Sequence, residues 1–314
     1  MFKVMTWNVE NLFRPGDPGG PGSRDVYEAK LQGLATTINA QAPDVLALQE
    51  VGDPDALGDL VDLLDGDWNR QLSSHPDGRG IRVVWLARPD ITDADDIVTF
   101  PAHLHPVQSD DQEGTVGAMG RGAVAITVDL GGQPVRLVTT HLKSKLLTFP
   151  NGRFTPHDED ERARFAAYAL YRRSAEAATL RVAVTAELAG AGGDHPLILT
   201  GDLNDTVQAA TTQILLGPPG SEIGTVGFNR PDHGDAERLW NLAPLMPPGK
   251  DYSRVNAGRK ELIDHIVVSA ALVKRAGFVE AIVEQPLPSV GNDPGPRKNA
   301  PSSDHAPVVA TFDA

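Results

Sequence analysis

The sequence predicts an α/β (α+β) fold, expected to form a single domain over residues 1–314. Short apolar runs rich in β-branched residues recur from one end to the other, and segments with helical spacing lie between them. No break in composition divides the 314 residues, and a hydrophobic content of 40% is enough for a sizeable core.

The runs Phe2–Trp7, Asp44–Gln49, Ile81–Ala87, Ala123–Val128, Val135–Thr140, Pro196–Thr200, Ile263–Ser269 and Pro307–Phe312 read as strands. Several are apolar on both faces, as buried strands of a covered sheet are. Val26–Ala40 follows Ser23 and Asp25, either of which can cap it, and Pro54–Leu64 carries apolar residues at helical intervals. Glu159–Leu188 is long, rich in Ala, Arg and Glu, and opens with an acidic first turn that suits a helix N-terminus. Loops rich in Gly and Pro are expected at Arg14–Gly22, Gly217–Asp235, Pro244–Lys260 and Gln285–Ser303, beside several polar clusters.

Those clusters sit at strand ends. LILTGDLND closes an aliphatic run on Asp202, Asn204 and Asp205; MTWNVEN puts Asn8 after another; VLALQEV ends on Gln49 and Glu50. RLVTTHLKSK ends on His141, Lys143 and Lys145, and SSDHAPVV places Asp304 and His305 before the last strand. Singly, such residues are more often caps and turn formers than site residues. Together they point to one rim, because strand ends in an α/β sheet converge where ligands bind. Carboxylates gathered there repel one another unless a cation offsets them. With no cysteine in the chain, that cation sits on oxygen and imidazole ligands, which suits Mg²⁺ or Mn²⁺, with Ca²⁺ a further candidate.

Asp264, opening the strand of IDHIVVS, is placed to orient His305 by accepting a hydrogen bond from one ring N–H. The bland alternative is a turn residue before a strand. Its neighbour His265 points to the opposite face by the period of two and is read as structural. Asp205 is read as the N-cap of a segment beginning at Thr206 rather than as a ligand.

In this order the motifs WNVENLF, LALQEV, TTHLKSK, TGDLND, LIDHIVVS and SDHAPVV resemble the endonuclease/exonuclease/phosphatase superfamily from Val4 to Phe312. The resemblance implies a four-layer α/β/β/α sandwich, two mixed sheets face to face with helices outside and a site at one rim. It implies metal binding by Glu50, with Asn8 beside it and Asp304 as a further ligand. Asp202 would orient or deprotonate the attacking water, and Asn204 would position phosphate and water. His305, held by Asp264, would contact a phosphoryl oxygen, with His141 near the phosphate or leaving group.

The expected reaction is metal-dependent hydrolysis of a phosphodiester, with nucleic acid among the candidate substrates. The alternatives are a phosphatase or phosphodiesterase on a small or lipid-head-group phosphate and, ranked last, a non-catalytic binding module. HLKSK and NVENLF look more like the nuclease branches than the inositol phosphatases, whereas ENLFRPG stands where abasic-site enzymes usually carry a lysine. A formal charge of -14 repels long duplex DNA, so polyanion binding requires a local basic patch, a metal or both. Lys143 and Lys145 are expected on the face of His141, or else in a solvated loop; Arg121, Arg82 and Arg153 are further phosphate candidates. Arg162, Arg164, Arg172 and Arg173 read as an exposed helix face, and no aromatic wedge is evident. No run approaches the roughly 18 apolar residues of a membrane helix. A monomer is expected, in the cytoplasm or exported with its leader removed.

Overall fold

The computed structural model describes residues 1–230, 234, 236–291 and 295–313. Parts of the expected loops Gly217–Asp235 and Gln285–Ser303 lie outside the described residues, at 231–233, 235 and 292–294. The first third of the chain runs β1 (Phe2–Leu12), α1 (Arg24–Gln41), β2 (Val45–Val51), α2 (Pro54–Val61), β3 (Asn69–Leu72), β4 (Arg82–Ala87) and β5 (Ile91–Thr99). After them come β6 (Val107–Gln108), β7 (Thr115–Val116), β8 (Ala118–Asp129), β9 (Pro134–His141), α3 (Glu159–Leu188) and β10 (Leu197–Asp202). The remainder runs α4 (Ala210–Gln213), β11 (Trp240–Asn241), β12 (Arg254–Asn256), β13 (Arg259–Glu261), β14 (Asp264–Val268), α5 (Ala270–Val273), β15 (Ala276–Ala281), β16 (Ser289–Val290) and β17 (Val308–Phe312).

Two six-stranded mixed sheets form the centre. One has the order β15-β17-β1-β2-β4-β3, the other β11-β14-β10-β9-β8-β5. Their facing sides share one apolar cluster, in which Phe2, Val4, Trp85 and Phe312 meet Val124, Ile126, Leu137, Ile198 and Ile266. Alternation sends the intervening residues outward. Met5, Leu46 and Leu86 pack with Leu34 and Ile38 of α1 and Leu57 and Leu60 of α2, while Val138, Leu199 and Val267 pack with Leu180 and Val184 of α3. The four layers follow from strands that are apolar on both faces, since each sheet must be covered twice.

Polar groups also cross the seam between the sheets. Trp85 Nε1 donates to the Val124 carbonyl at 3.1 Å, and Gln49 Nε2 donates to Thr6 Oγ1 and to Thr139 Oγ1, each at 3.1 Å. Gln49 is thus a core crosslink and Glu50 alone reaches the rim.

All eight expected strands and all three expected helices are present. Ser23 caps α1 by accepting from the Val26 amide, and Asp158 caps α3 by accepting from the Glu161 amide. The sequence gives no warning of β5, whose ITDADDIVT carries three aspartates. It is an edge strand paired only with β8, and Arg136 bridges Asp93 and Asp95 on its exposed face.

The sheet register sets the rim. Asp202 lies opposite His141 of parallel β9 and opposite Asp264 of antiparallel β14, so three strand ends place three polar side chains in one row. Gly201 makes that approach possible: its φ is 137°, and a Cβ there would sit 2.0 Å from the Thr140 carbonyl oxygen. Gly201→Ala is therefore expected to cost at least about 1–3 kcal/mol in backbone strain and to displace Asp202. Urea unfolding measures the first effect, and an unchanged midpoint would contradict this account of the motif.

Candidate active site

The rim opens into a cleft of about 690 Å³ whose lining includes Glu10, Glu50, His141, Asp202, Asn204, Asp304 and His305. A second concavity, at the sheet edges between residues 69–71 and 90–94, holds none of these groups. Four residues of the cleft, Glu10, Asn11, Glu50 and Asn204, take positive φ, between 51° and 65°. For residues other than glycine this conformation persists only where the surroundings enforce it.

Asp202 is 1% exposed and is held from several sides. Asn8 Nδ2 donates to its Oδ2 at 3.0 Å, the Asn204 amide donates to Oδ1 at 2.8 Å, and His141 Nε2 lies 3.3 Å from Oδ2. His305 Nε2 stands 4.0 Å away, while His305 Nδ1 and Asp264 Oδ2 are 2.7 Å apart. The expected Asp264–His305 pair is thus formed, and both members are buried. Trp7 Nε1 donates to the His305 carbonyl at 2.8 Å, and Ser303 Oγ donates to the Asn8 carbonyl at 2.6 Å, fastening the His305 loop to β1.

These surroundings set the charges. Burial, followed by the charge of Asp264, pushes the Asp202 carboxyl up to about 7. Burial alone would depress His305, but the carboxylates of Asp264 and Asp304 outweigh it and raise the ring to about 10. His141 goes the other way: burial, reinforced by the Arg121 charge, holds it well below the ordinary histidine value and leaves it neutral. Burial also lowers Lys143 to about 8.

The carboxylates lining the cleft differ in how they are neutralised. Glu10 faces Arg297 at 2.6 Å, Asp77 faces Arg121 at 3.1 Å, Glu176 faces Arg172 at 3.0 Å, and Asp304 faces Arg254 at 3.6 Å. Asp202 has the two histidines. Glu50 has no ion-pair partner among the described residues; Asn8 Nδ2 donates to Oε1 at 3.2 Å and the Asn11 amide to Oε2 at 3.0 Å. A hard carboxylate oriented by neutral donors beside a second carboxylate fits a divalent cation. Asp202, Asp264 and His305 also present ligand atoms within 4.8 Å of one another and form a possible metal site. There the Asp264–His305 hydrogen bond already occupies one atom of each residue.

The structure brings together Asn8, Glu50, His141, Asp202, Asp264, Asp304 and His305 at one rim. Asn204 lines the cleft, with its side-chain Nδ2 donating to the Leu142 carbonyl at 3.0 Å. Lys143, Lys145 and Arg121 line it too, although β9 ends at His141, so strand alternation does not extend to either lysine. Lys145 pairs with Asp205 at 2.9 Å. Asp205 is not a helix cap, because the next helix begins at Ala210; it accepts from Thr211 Oγ1 and pairs with Arg173, anchoring the turn. His265 is structural as expected, with Nδ1 3.0 Å from Asn241 Nδ2 and Nε2 2.9 Å from the Asp205 carbonyl.

Arg82 donates to the Gly80 carbonyl and Arg153 pairs with Glu161, both outside the cleft lining. Arg162 and Arg164 do form exposed ion pairs. Arg172 and Arg173 do not belong to that exposed face: Arg172 lines the cleft, and Arg173 is buried, donating to the Lys143 carbonyl. Sequence reasoning missed Glu10, Arg79, Arg254, Arg297 and Phe154, all of which line the cleft. Only Glu10 carried a signal, two positions after Asn8 on the same strand. Phe154 supplies the aromatic side chain that was not evident from sequence.

A model of the Endonuclease/Exonuclease/phosphatase family matches residues 5–305. Among solved structures, truncated Caenorhabditis elegans TDP2 is similar at 19% identity and a TM-score of 0.59, covering 100% of this chain and 97% of that one. The human Nocturnin catalytic domain with bound sulfate is 16% identical, with a TM-score of 0.56 and coverage of 99% and 94%. D. rerio TDP2 complexed with single strand DNA product is 16% identical, with a TM-score of 0.56 and coverage of 100% and 99%. At these identities the likeness establishes the fold. No curated protein matches.

The His305 ring, raised to about 10, contributes stability that is fully present below the ordinary histidine value and fades as pH rises through about 10. Asp264→Asn removes the main opposing charge and leaves burial dominant, so His305 is expected to titrate at lower pH. Proton NMR of the His305 ring checks this, and an unshifted titration would sink the assigned pairing.

Proposed function

Since the chain belongs to the Endonuclease/Exonuclease/phosphatase family, we propose that it is a divalent-cation-dependent phosphodiesterase whose substrate is nucleic acid. The observation that carries this reading is the juxtaposition of a buried Asp202–His305–Asp264 array with Glu50, the cleft carboxylate left without a cationic partner. Hydrolysis of a phosphate ester needs an activated water, a stabilised leaving oxygen and neutralisation of charge on the phosphoryl oxygens. Asp202, its carboxyl pushed upward, is suited to take a proton from water. His305, kept protonated by Asp264, donates to a phosphoryl oxygen. Neutral His141, aligned against Asp202, adds a donor near the leaving group. Glu50, with Asn8 alongside and Asp304 as a further candidate, would hold Mg²⁺ or Mn²⁺, which supplies positive charge for the phosphate and leaving oxygen.

The cleft lining supports a polymeric substrate. Against a formal charge of -14 for the chain, Arg79, Arg121, Lys143, Lys145 and Arg172 gather along it, with Arg121, Lys145 and Arg172 each paired to a carboxylate and Arg79 and Lys143 bonded to neutral oxygens. Such a patch admits phosphates locally while the rest of the surface repels duplex DNA. Phe154, 43% exposed in the cleft lining, offers a face on which a base can stack. The D. rerio relative complexed with single strand DNA product supports the same substrate class.

Asp202→Ala and His305→Ala are each expected to lower turnover by at least about 10²-fold with the fold intact. The assay is a panel of single-stranded DNA, RNA, plasmid, abasic duplex, inositol phosphates and sphingomyelin, with Mg²⁺, Mn²⁺ or Ca²⁺. Hydrolysis of monoesters alone would refute the diesterase reading. Phe154→Ala is expected to raise KM for single-stranded oligonucleotides roughly 5- to 100-fold with little change in kcat. An unchanged KM would remove Phe154 from substrate binding.

A further inference from the structure

We infer that Arg297 is a built-in cation seated between the Glu10 carboxylate and the Ser302 carbonyl, so that the cleft takes one divalent ion, at Glu50, instead of two. This rests on the reading that Glu50 holds the catalytic cation.

The rim has two acidic centres. One comprises Glu50 and Asp202, linked through the Asn8 amide, which donates to both at 3.2 and 3.0 Å. The other comprises Glu10 and Asp304, whose side chains line the same cleft and whose ligand chemistry suits a hard cation equally well. They differ in what already occupies them. Arg297 Nε donates to Glu10 Oε1 at 2.8 Å and its terminal nitrogen to Oε2 at 2.6 Å, a two-point contact that uses both carboxylate oxygens. The Asp304 amide donates to Oε2 as well, at 3.0 Å. Arg254 stands 3.6 Å from the Asp304 carboxylate, and the buried Lys30 ammonium donates to the Glu10 carbonyl.

A divalent ion entering this second centre would have to break a charge-assisted fork and sit beside two guanidinium groups, Arg297 and Arg254. A guanidinium is always charged and matches a carboxylate in shape, so it is not displaced by deprotonation or rotation. At Glu50 the donors are neutral, and an ion meets no such competition. The fork has a second effect. Arg297 also donates to the Ser302 carbonyl at 2.6 Å, and Glu10 receives the Asp304 amide, so the pair ties the segment that carries His305 to the end of β1. Arg297 is therefore a positioning residue that does by permanent charge what a second ion would do by coordination.

Mn²⁺ titration of the metal-stripped full chain, followed by calorimetry and by electron paramagnetic resonance, tests this. The wild type is expected to bind one ion, lost in Glu50→Gln. Arg297→Gln, with native circular dichroism, is expected to gain a second and weaker ion, and Glu10→Gln in that background to lose it again. Two ions in the wild type, or a single ion in folded Arg297→Gln, would overturn the inference while leaving the Glu50 assignment standing. No ion in the wild type would overturn both. If Arg297→Gln does not fold, the wild-type count and the Arg297→Met variant still decide the matter.

Discussion

A carboxylate that is 1% exposed must have its charge met by neighbours, and Asp202 draws those neighbours from chain segments that only the stacking of two sheets brings together. Asn8 comes from the first sheet, His141 from the second, and His305 from the loop entering the last strand of the first. The seam between the sheets is where these meet. The apolar cluster around Trp85 and Phe312 and the Gln49 crosslink hold the two sheets in a fixed register. Within the second sheet, a one-residue slip of β14 along β10 would turn Asp264 to the opposite face from Asp202. The site therefore inherits its accuracy from the core, and the strained backbone at Glu10, Glu50 and Asn204 is tolerated because that core enforces it.

Charge is organised at two scales. The chain as a whole is strongly acidic, yet the cleft pairs almost every carboxylate with an arginine or a histidine and leaves Glu50 to neutral donors. Whole-molecule charge governs which polyanions approach, and local pairing governs which carboxylates remain without a positive partner. The two histidines show the same principle within a few ångströms. Burial acts on both, but His305 has Asp264 on its ring and rises, whereas His141 has Arg121 and His305 among its neighbours and falls. One imidazole is thereby kept charged and the other neutral at the same pH.

Much of this was legible in the sequence. Apolar runs identified the central strands, and Ser23 and the acidic first turn from Glu159 marked helix starts, because these depend on local periodicity and local hydrogen bonds. The polar strand ends identified Asn8, Glu50, His141, Asp202, Asp264 and His305 as neighbours, because strand ends of a sheet share a rim. Other residues were not legible. Asp205 resembles a cap on local grounds, but its partners Arg173 and Lys145 come from distant segments. β5 looks too acidic for a strand until Arg136 of another strand is placed beside it.

The sequence by itself determined the α/β class and the inventory of polar groups, since alternation and strand ends are properties of neighbouring residues, while the layered arrangement was implied by the family resemblance of its motifs. Only the tertiary structure decided how those groups are charged and which are free to act. That outcome depends on burial and on partners remote in the chain: Arg297 lies 287 residues from Glu10, and no local pattern in GPRKN announces the contact. Phe154 and Arg172 likewise acquire a place in the cleft only when the connection from β9 to α3 folds back over the rim.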